Sequence, residues 1–399
     1  MAKIALLGYG TIGQGVAEVL RVNGASIAKR AGQDIEIKYI LDLRDFPGDV
    51  NEDKIVHDYS VIENDPEVSV VVEMMGGIEP AYTFCKKALL AGKSVATSNK
   101  ALVIKHGAEL IAIAKEKSLN FLFEGSVGGG IPIIRPMLSC LTAEVIEEIT
   151  GILNGTTNYM MTEMTEKGSE FADVLKDAQA KGYAEADPTA DVEGHDAARK
   201  ISILTSLASG KQVEFEDIHC EGITKISATD IKYAKAMGRK IKLLASSWLQ
   251  DGKYTAMVSP VMVDVTHPLY SVDNVFNAVF VHGNMLDDAM FYGRGAGSLP
   301  TASAVVADMV DIVKHFGKNI PIDWTDEKLE MGDYKDAEFK YFVRAKASAV
   351  EAEAAFGPIA CIFIPGVMDE IAFETGAMTG HAYEVAAAKL DIINMIRMK

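Results

Sequence analysis

Residues 3–16 read KIALLGYGTIGQGV. Five residues of buried-strand character, 3–7, run straight into Gly8, Gly10 and Gly13 in the pattern G-x-G-x-x-G. Residues 14–23, QGVAEVLRVN, then carry helical character. Strand, glycine pattern and helix in unbroken succession give a common spacing the context of a dinucleotide-binding motif. Gly8 permits the tight turn, Gly10 lets the backbone approach a pyrophosphate, and Gly13 allows close helix–strand packing. The amides of Thr11 and Ile12, at the helix N-terminus, face the phosphates. A turn that served packing alone would not need this order of elements.

The alternation continues outward. IEIKYIL (35–41) is a second strand, with Asp42 at its end and Arg44 two places on. An acid there suits the ribose hydroxyls of NAD, and an arginine suits the 2′-phosphate of NADP. Both are present, so the coenzyme stays open, and either residue also reads as a surface charge. VSVVVEMM (68–75), KSVATSNK (93–100) and LNFLFEG (119–125) are further strands separated by helical stretches. This order predicts a Rossmann-type, doubly wound parallel sheet. Ligands bind such sheets beyond the carboxyl ends of the strands, where Thr97, Ser98, Asn99 and Lys100 fall. Lys100 there reads as a cofactor or substrate contact, or more plainly as a surface lysine at a helix start.

The second half carries three irregular stretches. EGSVGGGIPIIRP (124–136) suits neither a strand interior nor a helix. Glu124 and nearby carbonyls offer a hard cation oxygen, although from physics alone a Gly-rich hinge is preferred. EVIEEITGILNGTTNYMM (144–161) reads as a strand ending in an Asn154–Gly155 turn rich in donors, with a helix expected over 170–181. GYAEADPTADVEGHDAARKISIL (182–204) gathers Glu185, Asp187, Asp191, Glu193, Asp196 and Lys200 before an apolar run. From about Val192 the period is helical, so Asp196 and Lys200, four apart, share a face. Glu185, Asp187 and Asp191 lie just before and can converge on the same spot. Charge runs are usually solvated loops, but a lysine bordering an apolar run needs a partner.

Bulk properties set the class. At 399 residues two or three domains are expected. Net charge −17 argues against sequence-independent binding to nucleic acid and against anionic membranes. The four cysteines, Cys85, Cys140, Cys220 and Cys361, form no CxxC pair, which suits a reducing compartment. With no leader and no bilayer-length apolar run, the expectation is a cytoplasmic protein with a small-molecule ligand, no nucleic acid and no membrane.

GYGTIGQGV, TSNKAL (97–102), EGSVGGGIPII, GILNGTTNYM, the 182–204 stretch and GRGAGSLPTASAVVADM (293–309) together resemble the homoserine dehydrogenase family over roughly residues 1–320. The resemblance implies reversible NAD(P)-dependent reduction of L-aspartate 4-semialdehyde to L-homoserine, on the route to threonine, methionine and isoleucine. By resemblance Lys200 is the acid/base, and Lys100 lies by cofactor and substrate. Glu185 and Asp196 bind the amino acid, with Asp191 added as a neighbouring carboxylate. Gly182 and Gly297 contact the nucleotide. Glu124 with the main-chain oxygens of Val127, Gly129 and Ile131 holds a sodium ion by the same resemblance. Apart from it, the outer parts of the second domain are expected to pair subunits into a homodimer or homotetramer.

The expected organisation is a nucleotide domain over 1–131 and an α+β substrate and dimerisation domain with a mixed sheet over 132–300. A helix over 301–330 then returns to the nucleotide domain. Residues 335–399 read βαββα, with 381–399 as one helix and no final strand, and look like a small ACT-type module. Rival readings are a dehydrogenase for another amino-acid semialdehyde and a non-catalytic NAD(P) sensor. A sensor has no need of Lys100, Asp196 and Lys200. A phosphorylating semialdehyde dehydrogenase would need a cysteine nucleophile, and Cys140 has no histidine nearby in sequence.

Overall fold

The computed structural model describes all 399 residues, which form two compact units. The first comprises Met1–Glu144, Ser202–Glu214 and Gly293–Leu329; the second comprises Val145–Ile201, Phe215–Tyr292 and Glu330–Lys399. No helix is long and apolar enough to cross a membrane.

The first unit is built on β1 (Ala2–Leu7), β2 (Ile35–Leu41), β3 (Ile55–Val56), β4 (Val68–Glu73), β5 (Ser94–Thr97) and β6 (Phe121–Leu122). They form one parallel sheet in the order β3-β2-β1-β4-β5-β6, the doubly wound arrangement expected from the sequence. Ile4–Leu7 and Val70–Val72 are wholly buried, which is why these strands are continuous apolar runs rather than alternating ones. Helices Thr11–Ala31, Ala81–Leu90, Lys100–Glu116 and Ser298–Lys314 belong to this unit. The last is tied to the first where Ser298 Oγ donates to the Thr11 carbonyl at 2.6 Å.

The second unit carries β7 (Ile146–Ile152), β8 (His219–Cys220), β9 (Lys240–Gln250), β10 (Lys253–Val263), β11 (Phe276–Gly283), β12 (Asp287–Arg294), β13 (Glu338–Lys346), β14 (Ile359–Ile362), β15 (Ile371–Thr375), β16 (Met378–Thr379) and β17 (Asp391–Met398). They make an 11-stranded mixed sheet whose main path is β12-β11-β7-β9-β10-β17-β13-β15-β14. β17 runs parallel to β10 and antiparallel to β13.

Two expectations change here. Residues 391–398 are a strand, and the helix that precedes them ends near Ala387. Ile392, Ile393 and Ile396 are β-branched, and pairing on both sides outweighs the helical appearance of the preceding alanines. The C-terminal segment therefore reads βαββαβ, with its strands in the order β17-β13-β15-β14, a split βαβ arrangement. Residues 154–158 are not a turn but the start of helix Gly155–Lys167, because the Asn154 side chain accepts the Thr157 amide and caps it.

Buried charges join the C-terminal segment to the rest of its unit. Arg344 on β13 donates to Asp230 at 2.8 Å and grips Glu370 with two nitrogens, both at 2.7 Å. Arg397 on β17 donates to Glu221 Oε2 at 2.8 Å, while His219 Nε2 lies 2.6 Å from the other oxygen. Burial pushes the Glu221 carboxyl up, but the hydrogen bonds from His219 and Arg397 outweigh it and bring its pKa to about 2.

Candidate active site

The nucleotide cradle is local to the first unit. Gly8 has φ of +93°, and a Cβ at Gly13 would stand 2.2 Å from the Gly8 carbonyl oxygen. Gly10 precedes helix Thr11–Ala31 in extended backbone with open space before it. A cleft of about 530 Å³ lies there, lined in part by Gly8, Gly10, Asp42, Arg44, His57 and Gly76. Its volume and mixed lining suit a small ligand. Asp42 accepts the Tyr9 amide at 2.8 Å, and Arg44 reaches both its oxygens. The guanidinium hydrogen bonds hold Asp42 at about 2 against the opposing effect of burial. His57 Nδ1 meets the Asp42 carbonyl at 2.7 Å and is pushed up by that bond.

The ends of β4 and β5 are organised by Glu73, a residue the sequence reading passed over. It is wholly buried, and burial pushes its carboxyl up. It accepts the Met75 amide at 2.7 Å and the Thr97 hydroxyl at 2.6 Å. Thr97 Oγ1 in turn receives the Asn99 amide at 2.9 Å, and Asn99 Oδ1 caps the helix that Lys100 opens. Thr97, Ser98 and Lys100 are thus placed at the carboxyl edge of the sheet. The sequence signal for Glu73 was an acid ending the apolar run VVVE.

Glu124 is buried, and both of its carboxylate oxygens accept backbone amides. Oε1 accepts the amides of Ile133 (2.7 Å) and Ile134 (3.0 Å), and Oε2 accepts that of Arg135 (2.6 Å). Its own amide donates to Asp308 Oδ2 at 2.8 Å, and Arg135 joins Asp308 to Asp311 through contacts of 2.6 Å. Burial pushes Asp308 up to about 8, with the Arg135 guanidinium opposing. These three amides occupy the carboxylate, whereas none of the loop's backbone hydrogen bonds reaches the Glu124 main-chain oxygen. The Val127, Gly129 and Ile131 carbonyls accept none of the loop's backbone hydrogen bonds, whereas the Gly128 carbonyl takes the Ile131 amide. Neutral main-chain carbonyls are the kind of donor a hard cation takes. Gly297, at φ +120°, precedes helix Ser298–Lys314 in the same unit.

The second unit holds the acidic cluster. Helix His195–Ser209 carries Asp196 and Lys200 on one face, with Lys200 Nζ 2.7 Å from Asp196 Oδ2. The same Nζ donates to the Leu153 carbonyl at 2.7 Å, just past the end of β7. Asn154 Nδ2 donates to Asp191 Oδ1 at 2.7 Å and to Asp196 Oδ2 at 3.0 Å. Burial pushes Asp191 up. Thus Asp196 and Lys200 pair as their spacing predicts, and of the three acids before them Asp191 joins through Asn154. Glu185 does not join their hydrogen bonds: it is exposed, and only its backbone carbonyl is used, by Gln179. Asp187 turns to cap Thr189, whose amide and hydroxyl both donate to it. Gly182, at φ +74°, lies in this second unit. Cys140 is exposed just past helix Ile134–Ser139.

A parallel sheet of this order, a glycine cradle with an acid at the end of β2, and a lysine held by a carboxylate define an NAD(P)-dependent oxidoreductase. The comparisons are specific. Residues 8–124 match the model of the homoserine dehydrogenase NAD-binding domain, and residues 132–310 match that of homoserine dehydrogenase. A homoserine dehydrogenase of Synechocystis sp. is 46% identical over 78% of this chain and 73% of its own. The crystal structure of a homoserine dehydrogenase from Thiobacillus denitrificans superposes with a TM-score of 0.91 at 34% identity, covering 100% of this chain and 98% of that one. A hyperthermophilic archaeal homoserine dehydrogenase mutant, solved with NADPH, gives 0.66 at 27% identity over 78% of this chain and 97% of its own. The chain belongs to the homoserine dehydrogenase family, and its reaction is the NAD(P)-linked interconversion of L-homoserine and L-aspartate 4-semialdehyde.

Proposed function

We propose that Lys200 is the acid/base of this reaction and that Asp191 and Asp196 hold the amino-acid end of the substrate. The observation that carries the reading is the grip on Lys200 Nζ. An ammonium has three N–H donors, and Leu153 O and Asp196 Oδ2 take two. The third is left for a substrate oxygen. When bound, the nicotinamide coenzyme supplies or accepts the hydride. As the aldehyde carbon gains hydride, charge grows on its oxygen, and Lys200 gives that oxygen a proton. In the reverse direction Lys200 takes the proton of the homoserine hydroxyl. Asp191 and Asp196 supply the negative charge that an α-ammonium needs, and Glu185 is exposed and able to turn toward it.

Gly8, Gly10, Thr11, Ile12 and Gly13 would hold the pyrophosphate, with Gly182 and Gly297 contributing backbone. Thr97, Ser98 and Lys100 would meet the nicotinamide end, and Arg44 would take a 2′-phosphate if NADP is used. The main-chain oxygens of Glu124, Val127, Gly129 and Ile131 would hold sodium, an ion with no part in the proton or hydride step. A homodimer or homotetramer suits β12, which ends the sheet with Met290 and Tyr292 exposed, and the free cysteines suit the cytoplasm. The ACT-like reading of the C-terminal segment rests on its strand order, since the matched residues end at 310. The first test follows nicotinamide absorbance with L-homoserine and either NAD or NADP. Homoserine-dependent reduction of the coenzyme is expected, and a folded, coenzyme-binding protein without it would overturn the reading.

A further inference from the structure

Asn154 does two jobs with one side chain. Its Oδ1 accepts the Thr157 amide at 2.9 Å and caps helix Gly155–Lys167. The same oxygen accepts the Thr157 hydroxyl at 3.1 Å. With the oxygen committed, the amide plane is fixed and Nδ2 is turned to the acids. It has two hydrogens, and one goes to Asp191 Oδ1, the other to Asp196 Oδ2. The side chain is buried and both its donors are used.

The cap alone does not explain the choice of residue. Serine, aspartate and asparagine cap helices about equally well. Only asparagine also offers two donors. Aspartate would set oxygen against oxygen at Asp191 and Asp196, and serine has one short hydroxyl for two targets. The charged groups facing Asp191 are Asp196, which repels it, and Lys200, which attracts it; the Asn154 amide and Thr156 hydroxyl support its anion. Burial works the other way, and the Asn154 hydrogen bond is the first of the effects that oppose it.

We propose that Asn154 is a positioning residue for the dehydrogenase reaction, holding Asp191 ionised and turning Asp196 onto Lys200 so that both carboxylates can receive a substrate ammonium. The proposal rests on the reading of Asp191, Asp196 and Lys200 as the substrate cluster.

The test uses Asn154→Ser, which keeps a cap, and Asn154→Asp, which keeps the cap and adds a charge. Steady-state kinetics with L-homoserine are measured across pH, beside NADPH titration and melting curves. For Asn154→Ser, kcat/KM is expected to fall about 10- to 100-fold, chiefly through KM. The acid limb of its pH profile moves to higher pH, because Asp191 without its donor keeps a proton longer. Asn154→Asp falls further, with the same direction of shift, and NADPH affinity stays at the wild-type value in both. A lowered melting point with wild-type KM and an unmoved acid limb would make Asn154 a cap only and overturn the proposal. If one variant does not fold, the other decides by the same readouts. Asp196→Asn is run in parallel. Wild-type activity there would remove the cluster reading itself, whereas an impaired Asp196→Asn beside an unimpaired Asn154→Ser would remove the positioning role alone.

Discussion

Asp42 holds the Arg44 guanidinium with both carboxylate oxygens, Nε on Oδ1 at 2.9 Å and Nη2 on Oδ2 at 3.0 Å. A bidentate pair of this kind competes with any other partner of either group. A 2′-phosphate must draw Arg44 off Asp42, and a 2′-hydroxyl must share Asp42 with Arg44. Arg44→Ala is expected to weaken NADP binding by about 10- to 100-fold and to leave NAD binding nearly unchanged, the worth of a charge-assisted hydrogen bond. Asp42→Asn shifts the ratio the other way. Fluorescence titration with both reduced coenzymes reads the two ratios, and equal loss for both coenzymes in Arg44→Ala would count against a phosphate role.

Lys200→Met removes the ammonium held between Leu153 O and Asp196 while keeping an unbranched apolar stem. A fall in kcat of about 10²- to 10⁴-fold is expected, the usual worth of a positioned acid or base. Coenzyme titration on the same preparation should give the wild-type Kd. Near-normal turnover would assign the proton to another group.

How much of this was legible beforehand follows from how local each feature is. The strand, glycine pattern and helix of residues 3–23 are contiguous, and so was the prediction of the sheet that grows from them. Asp196 and Lys200 pair across one helical turn, a spacing visible in the letters. Asn154 reaches Asp191 and Asp196 across 37 and 42 residues, so its role needed the fold. The strand at 391–398 was hidden for the same reason. Its partners, β10 and β13, are distant in sequence, and the alanine-rich helix before it gave no stop signal such as glycine or proline. Glu185 was grouped with the other acids because charge was counted, whereas side-chain direction on an irregular segment cannot be.

Gly13→Ala places a methyl carbon where only 2.2 Å separates it from the Gly8 carbonyl. The helix must back away from the strand end, taking the phosphate-facing amides with it. Coenzyme binding is expected to fall at least ~10-fold, as for any loss above about 1.4 kcal/mol. Calorimetric titration with NADPH measures it, and unaltered affinity would show that the turn has slack.

Acid titration tests the contact between β17 and the 219–221 segment. The Glu221 carboxyl lies at about 2 in the folded protein, below its ordinary 4.5. A lowered folded value means that the anion stabilises the fold above pH 4.5 and that this contribution is lost as pH falls toward 2. Glu221→Gln should therefore unfold at lower urea near neutral pH, by about 2 kcal/mol, and match wild type near pH 2. Urea midpoints across that window check both ends, and a gap that persists in acid would point to packing instead of charge.

β17 follows every other strand of its sheet in the chain, yet it sits between β10 and β13. Until residues 391–398 have been made, the sheet exists as two blocks, each with a bare interior edge. A vectorially synthesised chain carries the β10 edge exposed from its own synthesis onward and the β13 edge from residue 346, and exposed edges invite pairing with other chains. Residues 391–398 close the seam, and one of their partners, β10, lies far back in the chain, so closing it is a long-range search. Crowding, cold and nascent-chain stalling would then act on yield far more than on the stability of the finished enzyme.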